Sequence, residues 1–428
     1  MAQQFDLIIV EGGPGGYTTA AEAAARGERV ALVERDHLGG TCLNRGCIPT
    51  KVICHGAEAR HPFADIATRR SEVVEQLREG VATVLRDVTL FHGNAIFADA
   101  HTVAVEGPDM TELTAPRIIV ATGSAPASLP IPGAGLAMSS DHLLELDTLP
   151  ESIAVIGGGV IGMEFASALN LLGVKVSVVE FCPEILPSVD AEIAKRLRMT
   201  LKRRGIDIVT GAAVTSIEAT DGAFTVAYEA KGKSKSIVAA AVLMAVGRRP
   251  VVPQGLVEAG VKLTPRGFID TDNDFATSVD GIYAIGDVNG KCLLAHAAEA
   301  QGKRVLGIGV NTAVIPAVCF TSPAVATVGL TAGQLRERGI EPCEATATFR
   351  SNGYAMAIGE PDGMVKIVTD GSGVVMGVHI CGPHAADLIA EGALAVACGL
   401  KASDIASTVH AHPTLSETLA SAAEQLRL

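Results

Sequence analysis

The sequence has no tryptophan and only four tyrosines, and aromatic residues of all kinds make up 4% of its 428 positions. Platforms on which bases or sugar rings stack are built from such side chains. This shortage argues against a protein whose task is to bind carbohydrate or unpaired nucleic acid.

Positive charge is also scarce. The chain has 34 Lys and Arg against 47 Asp and Glu, which gives a net charge of −13. Proteins that bind nucleic-acid phosphates or anionic membranes need a cationic face. We therefore expect neither nucleic acid nor a membrane as partner.

Long apolar runs and targeting signals are missing as well. The longest apolar stretch, residues 237–247, is too short to span a bilayer, and MAQQFDLIIV lacks the features of a secretory signal. The nine cysteines have no regular spacing, unlike a secreted disulfide framework. These observations predict a cytoplasmic protein, and no metal site is expected.

Glycine, in contrast, is abundant, with 46 residues, and one glycine-rich pattern occurs twice. FDLIIVEGGPGG and SIAVIGGGVIG each read as a buried strand that runs into a tight turn and a helix, followed by a second strand ending in Glu. The separation from Gly13 to Glu34 (34 − 13) equals that from Gly159 to Glu180 (180 − 159), which is 21 in both. Matched βαβ units predict two dinucleotide-binding domains.

The second loop is complete. Gly157, Gly159 and Gly162 form G-x-G-x-x-G, whose glycines allow the turn, the approach of a pyrophosphate and close helix packing. Glu180 stands where a carboxylate accepts ribose hydroxyls and repels a 2′-phosphate, and no Arg follows before Arg196. The loop thus predicts NAD rather than NADP. The alternative is a tight turn without a ligand.

The first loop departs from the pattern. Glu11 stands where the first glycine is expected, although the other glycines and the terminal Glu34 are present. A carboxylate there repels a pyrophosphate, and the backbone freedom of glycine is lost. We expect dinucleotide binding with lowered affinity, and the alternative is a loop that has lost its ligand.

Two cysteines, Cys42 and Cys47, lie five positions apart in LGGTCLNRGCIPTK. Five residues of ideal helix rise about 7.5 Å and turn about 140°, whereas a disulfide needs Cα atoms within about 7 Å. The pair can bridge only if one cysteine lies outside a regular helix. The neighbours that supply such irregularity are Gly39, Gly40, Gly46 and Pro49. Two unrelated core thiols are the alternative.

Three segments resemble those of a known family. GGTCLNRGCIPTK is similar to the active-site segment of the pyridine nucleotide–disulfide oxidoreductases, HAHPTLSE to their C-terminal signature, and TSVDGIYAIGD to their second flavin fingerprint. With both glycine loops, the resemblance spans nearly the whole chain, and within the family the dihydrolipoamide dehydrogenases are most similar.

The resemblance implies an α/β fold with two Rossmann-like dinucleotide-binding domains and a C-terminal α+β dimerisation domain. Its expected division is 1–127 for the first part of the FAD-binding domain, 128–250 for the NAD-binding domain, 251–316 for a central segment that completes the FAD site, and 317–428 for the interface domain.

Roles follow from the resemblance for four residues. Cys42 matches the interchange thiol, and Cys47 the thiol beside the flavin, so a redox-active disulfide joins them. His412 matches the general base and Glu417 the acid that orients it; His410 has no role in this scheme.

The cofactors implied are FAD and NAD. Lys51 and Glu164 match a pair held near the flavin in related enzymes. The residues implied for FAD are Gly13, Gly15, Gly16, Glu34, Gly40, Thr41, Lys51, Thr122, Gly123, Gly286, Asp287 and Ala295. Those implied for NAD are Gly157, Gly159, Gly162, Glu164, Glu180 and Gly247. Arg248 and Arg249 match a frequent motif and receive no chemistry.

The expected activity is oxidation of a dihydrolipoyl dithiol to its cyclic disulfide with reduction of NAD+, by a homodimer that serves a lipoyl-bearing substrate such as a 2-oxo acid dehydrogenase complex. Two alternatives stay open: another NADH-dependent disulfide reductase of the family, or a flavin-binding structural protein with little turnover. One departure bears on the choice, because the segment 55–88 is shorter than usual by roughly twenty residues, which affects access of lipoamide.

Overall fold

The computed structural model describes residues 2–426, which fold into two compact units. Unit 1 comprises residues 2–52, 65–127 and 247–312, and unit 2 comprises 53–64, 128–246 and 313–426. Residues 1, 427 and 428, which the predicted domains include, lie outside the described part. The four-part division made from the sequence stays a prediction beside these two units.

The elements are named in chain order. The strands are β1 (Gln3–Gln4), β2 (Leu7–Val10), β3 (Val30–Glu34), β4 (Thr89–His92), β5 (Asn94–Phe97), β6 (Thr102–Glu106), β7 (Thr111–Thr114), β8 (Arg117–Val120), β9 (Ser124–Pro126), β10 (Ser152–Ile156), β11 (Lys175–Glu180), β12 (Asp207–Thr210), β13 (Ala212–Thr220), β14 (Ala223–Ala230), β15 (Lys233–Ala239), β16 (Ala241–Met244), β17 (Arg248–Pro250), β18 (Ile282–Ala284), β19 (Ala317–Cys319), β20 (Ala324–Gly329), β21 (Cys343–Thr348), β22 (Met364–Thr369) and β23 (Val375–Gly382). The helices are α1 (Pro14–Ala25), α2 (Gly40–Arg45), α3 (Cys47–Glu58), α4 (Phe63–Val84), α5 (Ser140–Leu144), α6 (Val160–Leu171), α7 (Ala191–Arg203), α8 (Ala295–Val305), α9 (Ala332–Glu337), α10 (Gly353–Ala357), α11 (Ala385–Cys398), α12 (Ala402–Ser407) and α13 (Glu417–Glu424).

Unit 1 is built on a parallel sheet with the order β18-β8-β2-β3-β4. Strand β2, with the sequence LIIV, is buried at every position, as expected for a strand covered on both faces. The chain leaves β2 through the first glycine loop and enters α1, whose Pro at the first turn suits a helix start. A second sheet, β1-β7-β6-β5, and the pair β9-β17 complete this unit.

Unit 2 contains a second parallel sheet with the order β12-β11-β10-β16. Its β10–α6–β11 segment repeats the β2–α1–β3 segment of unit 1, so the predicted duplication is confirmed. The antiparallel sheet β13-β14-β15 lies between β12 and β16 in the chain.

The C-terminal part of unit 2 is an antiparallel sheet with the order β19-β20-β23-β22-β21. Its core joins sheet residues such as Ile367 and Val378 to Ile389 of α11 and Leu419 of α13. Burial of these apolar side chains is what fixes the helices on the sheet. The predicted α/β fold class with an α+β C-terminal region is confirmed.

Across residues 2–426, no helix is both long enough and apolar enough to cross a lipid bilayer.

Candidate active site

The two cysteines lie on either side of a break between two helices. Cys42 is within α2, which ends before Gly46, and Cys47 is the first residue of α3. A Cβ atom on Gly46 would lie 2.8 Å from the Thr41 carbonyl oxygen and 3.2 Å from Cys42 Cα. Only glycine therefore lets the chain turn back so closely, and the break that the sequence predicts is present.

The break brings the two sulfurs into contact. Both cysteines are thiols in the structure, and the Cys42 side chain donates a hydrogen bond to the sulfur of Cys47. That bond, together with burial and the charge of Cys47, raises the pKa of Cys42, while Lys51 acts in the opposite direction. Cys42 therefore keeps its proton at neutral pH. Cys47 is the more exposed residue of the two.

Tyr17 on α1 lies near the thiol pair and was not predicted as a site residue, because no motif marks it in the sequence. Burial raises the pKa of Tyr17, and the charges of Glu299 and Cys42 add to this effect. Its phenol thus stays protonated near the thiol pair.

The second glycine loop has the form expected of a dinucleotide cradle. Gly157 has a φ of 106°, which favours glycine, and a Cβ on Gly162 would lie 2.0 Å from the Gly157 oxygen. Glu180 is buried at the end of β11 and accepts hydrogen bonds from the backbone N–H groups of Gly158 and Cys182. No atom lies within 4 Å of a Cβ built on Gly159, so space is open in front of α6.

The first glycine loop reproduces this geometry. A Cβ on Gly16 would lie 2.0 Å from the oxygen of Glu11, and Glu34 Oε2 accepts the N–H of Gly12 at 2.7 Å. A Cβ on Gly40 would lie 2.7 Å from Gly13 Cα, so the loop and the start of α2, which also carries Thr41, touch through glycine backbones. Glu11 takes the position that corresponds to Gly157, with a φ of 75°.

Asp287 lies in a short 3-10 turn after β18 and has two partners that the sequence did not indicate. The Ser124 hydroxyl donates to its carboxylate, and the Arg248 Nε atom is 3.7 Å from it. Burial raises the pKa of Asp287, opposed by both partners. Arg248 also donates to the Ser124 carbonyl oxygen at 2.6 Å. Arg248, which was given no role from the sequence, therefore positions Asp287.

Other residues predicted for the flavin surround the same region of unit 1. The Thr122 hydroxyl donates to the Val251 carbonyl oxygen, and Gly123 has a positive φ. Gly247, which the resemblance implies for NAD, also has a positive φ but lies in unit 1, whereas the other glycines implied for NAD lie in unit 2. Gly286 donates its N–H to Gln301 on α8, the helix that begins at Ala295, and a Cβ on Gly15 would lie 3.0 Å from Ala298 of that helix.

Lys51 and Glu164 are in different units. Lys51 lies on α3, where its charge acts on Cys42. Glu164 is buried on α6 and accepts the N–H of Phe320 at 2.9 Å.

The histidine and glutamate of the C-terminal segment form a hydrogen-bonded pair. His412 Nδ1 is 2.9 Å from Glu417 Oε1, and the other oxygen of Glu417 accepts the Thr414 N–H at 2.8 Å. These bonds, led by the one from Thr414, lower the pKa of Glu417. The His412 side chain is 80% exposed, so its second nitrogen is open to a partner molecule. His410, in contrast, is buried and bonded to Glu391.

These residues fit two dinucleotides. Each loop combines a helix N-terminus, which attracts phosphate, with a buried acid that accepts ribose hydroxyls. FAD would lie at the first loop with Asp287 and the α8 N-terminus, and NAD at the second. Glu11 places a carboxyl group at the first loop, where a phosphate group of FAD would lie.

Comparisons with known proteins give a consistent answer. The family described as pyridine nucleotide-disulphide oxidoreductase matches residues 5–302, and the dimerisation domain of the same family matches residues 315–423.

Individual relatives were also found. The chain is 39% identical to a dihydrolipoyl dehydrogenase of Geobacillus stearothermophilus over 99% of this chain and 96% of that protein, and 37% identical to one of Chlamydia pneumoniae over 99% and 97%. Among solved structures, the HOCl-induced flavoprotein disulfide reductase RclA of Escherichia coli in its Cu(II) complex is similar with a TM-score of 0.92 and 28% identity over 100% of both chains.

Proposed function

The chain belongs to the pyridine nucleotide-disulphide oxidoreductase family, and from this premise we propose that it oxidises a dihydrolipoyl dithiol to the cyclic disulfide and reduces NAD+. The observation that carries the proposal is the contact between Cys42 and Cys47 at the helix break. A disulfide requires the two side chains to approach each other, and the helix break allows that approach.

The protein's own side chains account for the dithiol half of the reaction. His412 takes a proton from one substrate thiol, and the thiolate attacks Cys42 Sγ in the Cys42–Cys47 disulfide, so Cys47 leaves as a thiolate. The second substrate sulfur then attacks the first substrate sulfur, and its proton passes to Cys42, which is released as a thiol. The substrate is oxidised to a cyclic disulfide and the protein disulfide is reduced.

The pKa shifts of Cys42 and Glu417 support these roles. The hydrogen bond to Cys47, burial and the charge of Cys47 raise the pKa of Cys42, so Cys42 is the member of the reduced pair that keeps its proton. Glu417 stays ionised, because its pKa is lowered, and so stabilises the imidazolium that His412 becomes. When bound, FAD supplies the chemistry that passes the electrons to NAD+.

Specificity for NAD over NADP is part of the proposal. Glu180 already accepts two backbone N–H groups, so its carboxylate is fixed where the adenosine ribose would lie. A 2′-phosphate at that point meets a like charge in a buried position. Gly157, Gly159 and Gly162 provide the backbone surface.

Dimerisation completes the proposed site. The C-terminal region matches a dimerisation domain, and His412 is exposed in the single chain. We infer a homodimer in which His412 of one protomer serves the cysteines of the other. A lipoyl-bearing subunit of a 2-oxo acid dehydrogenase complex in the cytoplasm is the inferred partner.

A second candidate is the reduction of a different disulfide at the expense of NADH. The alignment with the Geobacillus stearothermophilus protein spans 452 positions, whereas this chain has 428 residues, so at least 24 positions (452 − 428) have no counterpart here. The expected shortening between residues 55 and 88 agrees with this difference and affects lipoamide access. The similarity to RclA, named as a disulfide reductase, favours the same alternative.

Steady-state assays separate these candidates. We expect purified protein to reduce NAD+ with dihydrolipoamide, to do so with far higher kcat/KM than with NADP+, and to lose this activity in Cys42→Ser but not in Cys54→Ser. Activity with NADH and other disulfides, but none with dihydrolipoamide, would support the second candidate. Bound flavin without any turnover would contradict both and favour a structural role.

A further inference from the structure

The first glycine loop carries a buried acid in a conformation that favours glycine. Glu11 has a φ of 75°, where its counterpart Gly157 has 106°. Its side chain is only 13% exposed, so the carboxyl group is held inside the loop and is not turned towards solvent. A residue in such a strained backbone conformation persists only where the surrounding structure holds it.

The Glu11 carboxyl is bonded to the acid that would hold the adenosine ribose. It donates a hydrogen bond to Glu34, which also accepts the N–H groups of Gly12 and Asp36 at 2.7 and 2.8 Å. Three of about four acceptor positions on Glu34 are then filled. In the second loop the thiol of Cys182 is the third hydrogen-bond donor to Glu180. Neutral Glu11 has the same role in the first loop, as the third donor to Glu34.

The charges around Glu11 decide its ionisation. Burial and the charge of Glu34 raise the pKa of Glu11 to about 8, although Arg35, with its Nε 3.4 Å away, acts in the opposite direction. Burial also raises the pKa of Glu34, but its three donors favour the ionised form, so the shared proton resides on Glu11.

The remaining neighbours contribute little charge. The first turn of α1 contains no acidic residue, and the chain after β8 continues with the uncharged Ala121 and Thr122. Asp36 is paired with Arg45 and lies 3.6 Å from His37. Glu34 and Arg35 are thus the charged groups that face Glu11.

We propose that Glu11 links FAD binding at the first loop to the uptake or retention of a proton. The neutral carboxyl caps Glu34 and leaves the turn free of charge for the pyrophosphate, whereas the ionised carboxylate places a negative charge beside it. This inference rests on the proposed function, because that function puts FAD at this loop.

The sign of the pH effect follows from linkage. An anionic ligand favours the protonated form of Glu11, so bound FAD raises the pKa of Glu11 above its value in the flavin-free protein, about 8. FAD affinity is then constant below that value and falls as pH rises above it, by up to about tenfold per pH unit.

The test measures the dissociation constant of FAD by flavin fluorescence between about pH 6.5 and pH 9.5, starting from the holoenzyme. Glu11→Gln keeps the donor to Glu34 without a charge, and Glu22→Gln on α1 removes an exposed acid as the matched control. We expect the ratio of wild-type to Glu11→Gln dissociation constants to rise by about tenfold over this range. Glu22→Gln should follow wild type.

A ratio that stays constant with pH would overturn the inference. If wild type binds no flavin at any pH, the proposed function fails instead. A further variant, Arg35→Gln, covers the case in which Glu11→Gln does not fold. Because Arg35 lowers the pKa of Glu11, its removal should move the loss of FAD to higher pH; an unchanged or lower onset would also contradict the inference.

Discussion

Glu11 and Gly157 occupy equivalent positions in the two glycine loops. Comparing them shows the effect of a side chain on stability at a position with positive φ. Left-handed backbone costs a residue with a Cβ about 1–2 kcal/mol relative to glycine. Glu11→Gly should therefore raise the unfolding free energy by about 1 kcal/mol. Differential scanning calorimetry with and without FAD measures the change.

Lys231 is the control for Glu11→Gly, because it also has a positive φ, 53°, but lies in an exposed turn of unit 2. Above about pH 8, where Glu11 ionises, the gain from Glu11→Gly should grow when FAD is added, whereas Lys231→Gly should give a gain that is independent of FAD. A Glu11→Gly protein that melts at a lower temperature than wild type would show that the carboxyl contributes more than the strain costs.

The pair of His412 and Glu417 provides a second residue-level prediction. Glu417→Gln removes the charge that stabilises the imidazolium, so kcat should fall by about 10²-fold while FAD content stays unchanged. Glu391→Gln is a matched control, because Glu391 bonds His410 at the same 2.9 Å separation outside the proposed chemistry. Equal losses in the two variants would argue that the His412 pair is structural.

The break between α2 and α3 is the element on which the cysteine contact depends. Gly46→Ala forces a Cβ to within 2.8 Å of the Thr41 oxygen, so it should destabilise the protein by about 1–3 kcal/mol and reduce the yield of the Cys42–Cys47 disulfide. Peptide mapping of the oxidised protein measures that yield, and thermal unfolding measures the loss of stability.

Gly80→Ala on α4 is the companion variant. A Cβ at Gly80 meets nothing within 4 Å, so this change should stabilise the helix by about 0.5–1 kcal/mol. A Gly46→Ala protein with full disulfide yield would contradict the importance of the break.

A buried cluster joins the start of α7 to the C-terminal sheet within unit 2. Lys366 on β22 lies 3.1 Å from Asp190, the N-cap of α7, and 2.7 Å from Glu344 on β21. Burial lowers the pKa of Lys366, but the bond to Glu344 and the charge of Asp190 outweigh it, so the net shift is upward. The lysine is therefore charged at neutral pH.

Lys366→Met leaves the carboxylates of Asp190, Glu192 and Glu344 without this cation and should lower the unfolding free energy by about 3 kcal/mol. Lys195→Met, at an exposed position, should have little effect. Burial opposes ionisation of Glu344, but Lys366 and Arg336 lower its pKa overall. Its contribution is thus present above the ordinary value of 4.5 and lost as pH falls below it. The difference between wild type and Lys366→Met should shrink in acid, and a constant difference would contradict this assignment.

Local chemistry explains which features could be predicted. Gly46 and Pro49 predicted the break at the cysteines, and the repeated glycines predicted both βαβ units. The strand before Asp287 and the helix after it were predicted from their residue pattern. The partners of Asp287 could not be predicted, because Ser124, Arg248 and Asp287 are far apart in the sequence and meet only through tertiary folding. Arg248 and Ser124 alone are 124 positions apart. For Glu11, sequence reasoning gave repulsion of phosphate but not the proton shared with Glu34.

The assembled homodimer allows a test of how the proposed site is divided. Cys42→Ser and His412→Gln should each be inactive alone. If His412 serves the partner's cysteines, mixed and reassembled protomers form heterodimers with one intact site, and activity should return to about a quarter of wild type. Cys42→Ser mixed with Cys42→Ser is the control. If mixtures that contain verified heterodimers recover no activity, His412 and the cysteines of one site belong to the same protomer.

The central claim is that the Cys42–Cys47 pair exchanges electrons with a flavin through Cys47. The most direct measurement is the visible spectrum during anaerobic titration with dihydrolipoamide. We expect a long-wavelength absorption band at two electrons per subunit in wild type and in Cys54→Ser, and its absence in Cys47→Ser. A band that persists in Cys47→Ser, or one that never forms in wild type with flavin bound, would contradict it.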